Sequence, residues 1–176
     1  MKSTGEVMGI DVDFGTAFAK SQLAAYRDGL PKSGTMFISV ADRDKHKIIN
    51  AVKHFIALGF KVASTAGTGK FLAENGITAA PVRKQSEGSK DGVPTTVEGI
   101  MNGDFDLVVN TPYGTGARRD GYEIRSATVL AGTPSITTVQ GLNAAAEGIE
   151  ALQRGPLGVK SIQEHAADLN ELLSKS

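Results

Sequence analysis

No cysteine occurs among the 176 residues, which excludes disulfides, thiolate metal sites and a cysteine nucleophile. There is no charge excess either. Nineteen Lys and Arg balance nineteen Asp and Glu, with a calculated pI of about 6.8, so no basic surplus points to nucleic acid or an anionic membrane. No apolar run approaches the roughly 20 residues needed to span a bilayer. The N-terminal MKSTGEVMG lacks the hydrophobic stretch of a signal peptide. These absences predict a cytoplasmic protein without nucleic-acid or membrane partners. Two nucleotide motifs are missing as well. In KVASTAGTGKFLAENG (residues 61–76), Ser64 stands where a Walker A loop needs its first glycine, and Phe71 where it needs Ser or Thr after Lys70. Leu72 replaces the third glycine of the dinucleotide fingerprint. What remains is a loop of small and hydroxyl residues ahead of a predicted helix. Its free amides and helix dipole still favour an anion.

With 40% hydrophobic and 22% charged residues, the chain can bury a sizeable core, and its length suits one domain with some extra. From residue 34 onward short apolar runs alternate with helical patterns. Strands are predicted at 36–40, 60–65, 77–83, 107–110 and 135–138. Helices are predicted at 44–58, 68–75, 95–101, 122–131 and 142–152. The stripe of Ile48, Val52, Phe55 and Ile56 marks a helix packed on a sheet. QSEGSKDGVP (85–94) and TPYGTGARRDG (111–121) read as loops. Such alternation predicts an α/β fold with a parallel sheet covered on both faces. Residues 1–33 break the rhythm, with a helix over 14–26 and a linker at 28–34. A terminal helix is predicted over 161–173.

Ligands of open α/β sheets bind outside the carboxyl ends of the strands. The residues there are Ser39 and Lys45 after the first strand, then Thr65, Gly67 and Thr68 after the second. Lys84 follows the third, Asn110 and Thr111 the fourth, and Thr137 and Thr138 the fifth. Two lysines, several hydroxyls and two helix starts on one rim suit a phosphate monoester. Each residue also has a plain structural reading, since first-turn lysines are commonly solvated and threonines after strands commonly cap helices. Asp42 and Asp44 read as dipole-complementing or capping groups, and His46, His54 and His165 as surface or packing residues. Arg118 and Arg119 are loop charges or phosphate clamps, and composition does not decide between the two.

SVADRDK (39–45), STAGT (64–68), RKQSEG (83–88), VVNTPYG (108–114), GYEIRSA (121–127) and ITTVQG (136–141), with MKSTGEVMG (1–9), carry a family resemblance. The chain resembles the C-terminal end of the large subunit of glutamine-dependent carbamoyl phosphate synthase. MKSTGEVMG is similar to the close of its second ATP-using half, and 37–153 to its allosteric domain. The resemblance implies a three-layer, methylglyoxal-synthase-like domain with a five-stranded parallel sheet flanked by helices. It divides the chain into a catalytic-domain tail and linker (1–33), the allosteric domain (34–160) and a C-terminal helix (161–176). It also implies that the chain is a piece of a much larger subunit, since Met1 coincides with an internal methionine of the family.

The resemblance further implies a non-catalytic effector site for UMP, and in some members IMP. Its residues would be Ser39, Lys45, Thr65, Gly67, Thr68, Lys84, Asn110 and Thr111. Thr137 and Thr138 would form a second effector site or an interdomain contact, although Ser135 stands where ornithine-regulated relatives can carry tyrosine. No cofactor or metal is expected in this piece; ATP and a divalent metal belong to the parent ligase. The implied partners are the catalytic domains of the same subunit and the glutaminase small subunit, in pyrimidine and arginine biosynthesis. The alternative is a lyase like methylglyoxal synthase, which grips a triose phosphate with similar groups. That enzyme needs an aspartate after a Gly-Gly pair to move protons, whereas Asp91 here lacks that context and the 111–121 loop has no histidine. A related cyclohydrolase domain of purine synthesis is disfavoured by MKSTGEVMG.

Overall fold

Strand β1 (Gly34–Val40) occupies the middle of a five-stranded, wholly parallel sheet of order β3-β2-β1-β4-β5. The other strands are β2 (Phe60–Thr65), β3 (Ala80–Val82), β4 (Leu107–Thr111) and β5 (Ser135–Ile136). The computed structural model describes residues 5–112 and 115–174, without the side chains of 115–120 and Leu172. Side chains alternate across the pleat. Met36, Ile38 and Val40 therefore enter one core with Ile48, Val52 and Phe55 of α2 (Lys45–Ala57), whereas Phe37 enters a second with Ile100, Phe105 and Ile124. That second face is covered by α4 (Thr96–Asn102) and α5 (Thr115–Ala131). The first is covered by α2, α3 (Ala66–Glu74) and α6 (Val139–Arg154). Three layers result, as expected. α7 (Ile162–Ser174) follows.

Helix α1 (Phe14–Ala25) joins the first core rather than standing apart from it. Ala19 is fully buried, and Leu30 beyond the helix is 4% exposed. α1 and α6 approach closely because Gly15 carries no side chain, and a Cβ there would lie 2.6 Å from the Glu147 carbonyl oxygen. Tyr26, just after α1, binds the edge strand. Its hydroxyl donates to the Ser135 carbonyl (3.1 Å) and accepts the Ser135 N–H (3.3 Å). Phe18 packs against the core, while Phe14 and Leu23 stay largely exposed.

Several boundaries differ from those read along the chain. β3 is limited to Ala80–Val82, an edge strand that tolerates Pro81. Within 85–94 lie a 3₁₀ turn (Gln85–Glu87) and a two-residue turn. In the latter, Lys90 and Val93 exchange backbone hydrogen bonds while Asp91 and Gly92 take φ of 55° and 75°. Both values are positive, as a primed turn requires. α5 starts at Thr115, inside the segment expected to be loop. Its packing against α4 and the second core outweighs the low helix propensity of its glycines. β5 ends at Ile136, two residues early, because Thr138 turns the chain into α6.

Candidate functional site at the carboxyl rim of the sheet

The strand order reverses direction beside β1, and the carboxyl ends around that switch point face an open cavity of about 590 Å³. Ser39, Lys45, Thr65, Gly67, Thr68, Lys84, Asn110 and Thr111 all line it. Sheet register brings them together. Ser39 pairs with Asn110 and Val40 with Thr111 across β1 and β4, and Ser39 Oγ lies 3.1 Å from Thr65 Oγ1 on β2.

The wall presents donors. Thr68 Oγ1 accepts the Val40 N–H and Thr111 Oγ1 accepts the Ala41 N–H, each at 3.2 Å. Each hydroxyl is thereby fixed in place with its own proton left to give. The Ser39–Thr65 pair likewise has one proton beyond the one it shares. α3 begins directly at the end of β2. Its N-cap residue Thr65 makes no side-chain capping bond, and its first turn has no acidic residue. The first amides of α3 are therefore open to an acceptor from outside the helix.

Lys45 supplies the charge. Its side chain is 18% exposed, and Nζ lies 2.7 Å from Asp42 Oδ1 and 3.7 Å from the point that a Cβ on Gly67 would occupy. The ammonium therefore stands beside the start of α3. Its hydrogen bond holds the Asp42 carboxyl below the usual carboxylate range, with the charges of Lys45 and Lys84 adding to the effect. Both lysines thus act on one neighbourhood. Asp42, 94% exposed, occupies Lys45 from the solvent side. Asp44 makes no capping bond and is instead buried beside Arg43 and Lys47, so the aspartates lie at the helix start as expected but neither caps it through a side-chain bond.

Thr137 and Thr138 do not join this group. Both are exposed and outside the cavity lining, and Thr138 Oγ1 accepts the Gly141 N–H at 3.0 Å as the N-cap of α6. Arg118 and Arg119 lie outside the described side chains. His54 meets Glu150 at 3.2 Å and His46 packs edge-on to Phe71. The linear reading missed Asp42, Gln85, Gly121 and Ile124 as lining residues. Gln85 was findable as the neighbour of Lys84; Gly121 and Ile124 were not, because their facing depends on where α5 begins.

The sequence profile of the family described as "MGS-like domain" matches residues 47–137. This chain belongs to that family. The chain is 56% identical over 170 residues to the carbamoyl phosphate synthase large chain of Streptomyces griseus, covering 96% of this chain and 15% of the relative. It is 56% identical over 167 residues to the large chain of Mycobacterium tuberculosis, covering 93% and 15%. The chain thus spans about 15% of the length of the curated relatives it matches. Among solved structures, methylglyoxal synthase from Elizabethkingia anophelis aligns with a TM-score of 0.47 at 17% identity, over 65% of this chain and 79% of that one. Among the described residues, no helix is long and apolar enough to cross a membrane.

Proposed function

We propose that this MGS-like domain is the regulatory part of a glutamine-dependent carbamoyl phosphate synthase large subunit, and that its rim cavity binds a nucleotide monophosphate, UMP or IMP. One observation carries the reading. Eight donor-bearing residues, drawn from the ends of four strands, converge on one cavity whose α3 amides have no capping side chain. A phosphate monoester supplies the acceptors and charge that such a wall lacks. Thr68, Gly67 and Lys45 take the phosphate; Lys84 and Asn110 hold phosphate or ribose.

The binding reading is favoured over a triose phosphate lyase by the carboxylates. Among the described lining residues, Asp42 is the one carboxylate, ion-paired to Lys45, and none is a histidine. Asp91 lies in the exposed turn outside the lining. ATP, the divalent metal and the glutaminase partner belong to the parent ligase. An effector modulates that enzyme only by binding two of its states with different affinity, typically by about 1–3 kcal/mol. The Tyr26–Ser135 bridge supports a route from the sheet edge to α1 and the remainder of the subunit.

Calorimetric titration of this chain with UMP, IMP and dihydroxyacetone phosphate tests the proposal. Saturable nucleotide binding, weaker triose binding and no methylglyoxal formed are expected. Methylglyoxal production from the triose phosphate would overturn it in favour of the lyase.

A further inference from the structure

The cavity wall is rich in donors, and one residue lining it, Gln85, carries a buried acceptor that nothing satisfies. Among the described residues, Gln85 Oε1 is the one buried side-chain oxygen or nitrogen without a hydrogen-bond partner. Buried polar groups in folded proteins are nearly always paired, so an unpaired one calls for an explanation. Gln85 is half-buried, lines the cavity and opens the 3₁₀ turn after β3. The terminal torsion of a glutamine is broad and nearly two-fold, so Oε1 is free to turn from its buried position, and meeting a ligand in the cavity requires that turn.

Its location is separated from the phosphate cradle. β3 lies one strand beyond β2 and two beyond β1, and neighbouring strands are about 4.8 Å apart. The end of β3, which leads through Lys84 to Gln85, is therefore set off by roughly 5–10 Å across the sheet from the strand ends that lead to Thr68 and Lys45, a span of the order of a ribose. The 3₁₀ turn rests against α5, from which Ile124 presents an apolar face to the same cavity. A flat ring extending from the sugar would meet an aliphatic surface and, at its edge, the Gln85 amide. Carboxamide oxygen and nitrogen together match a ring N–H beside a carbonyl.

We propose that Gln85 is a specificity-determining residue of this cavity, its Oε1 accepting the ring N–H of a lactam-type base on a phosphorylated ligand. The inference rests on the nucleotide reading above. It makes the base, and not only the phosphate, a source of affinity, and it favours uracil or hypoxanthine rings over a bare sugar phosphate.

The test compares the unaltered chain with Gln85→Leu, each titrated with UMP and with ribose 5-phosphate. Loss of one such hydrogen bond weakens UMP by about five- to thirtyfold, while ribose 5-phosphate changes less than about twofold. Because Gln85→Leu removes an unmet acceptor, its ligand-free melting temperature is expected at or above that of the parent, which separates lost recognition from lost folding. Equal losses for both ligands, or no loss for either, would overturn the role of Gln85 while leaving the phosphate site standing. Equal binding of UMP and ribose 5-phosphate by the unaltered chain would also overturn it. Binding of neither would remove the nucleotide reading, and this inference with it.

Discussion

Lys45 faces two anions, one present and one proposed. Asp42 holds its ammonium at 2.7 Å from the solvent side, and the uncapped start of α3 lies on the other. Removing the charge in Lys45→Ala should weaken UMP by about tenfold or more, the usual effect of losing a charge-assisted hydrogen bond. Asp42→Asn should do the opposite and tighten UMP, because the ammonium is released from its carboxylate. The effect should fade in high salt, since Asp42 is exposed and its field is screened. Titration of both variants checks this. Weaker binding in Asp42→Asn would mean that Asp42 orients Lys45 rather than competing for it. At this scale the sequence was informative where a residue sits at the carboxyl end of a strand, as Ser39, Thr65 and Thr111 do. It read Asp42 only as a group at a helix start, because its pairing depends on the direction in which Lys45 reaches.

Among the elements, α1 is the one whose place could not be read from the linear pattern. Its N-cap is Asp13, which accepts the backbone N–H of Thr16 at 3.0 Å and also the Thr16 hydroxyl. The hydroxyl, then the amide, hold the Asp13 carboxyl below its ordinary value of 3.8, with Arg154 on α6 assisting. A depressed folded-state pKa means that this stabilisation is present above the ordinary value and is lost as pH falls through the folded one. Asp13→Ala should therefore melt below the parent at neutral pH, and the gap should narrow at an acid pH below the ordinary carboxyl value of 3.8. Melting curves at the two pH values check it; a gap unchanged by acid would mean that the cap contributes nothing through its charge. α5 teaches the same lesson from the other side. Gly114, Gly116 and Gly121 pointed to a loop, yet a helix from Thr115 forms because Ile124 and Ala127 bury against Phe37 and Val108.

For the whole molecule, ligand binding and folding are linked. A ligand that binds only the folded state stabilises it by about 2.7 kcal/mol at a hundred times its dissociation constant. For a domain of this size that raises the melting temperature by roughly 5–10 °C. UMP at saturation should produce such a shift, and Lys45→Ala should reduce it at the same UMP concentration. A calorimetric scan without any shift would contradict a preorganised site in this chain. The two cores separated by the sheet are continuous with the cavity floor, since Val40 belongs to one and Ile124 to the other while both line it.

The sequence by itself determined the α/β class, the five strands, their helical cover and a set of ten rim candidates, of which eight line the cavity. Those properties follow from local periodicity and from the rule that parallel strands send their carboxyl ends to one side. Only the tertiary structure decided the rest. It carried α1 onto α6 through the Gly15 approach and turned Lys45 toward the start of α3. It also left Thr138 as a helix cap away from the cavity and stranded the Gln85 oxygen in its wall. Each of these depends on which side chains from distant segments meet, and spacing along the chain carries no information about that.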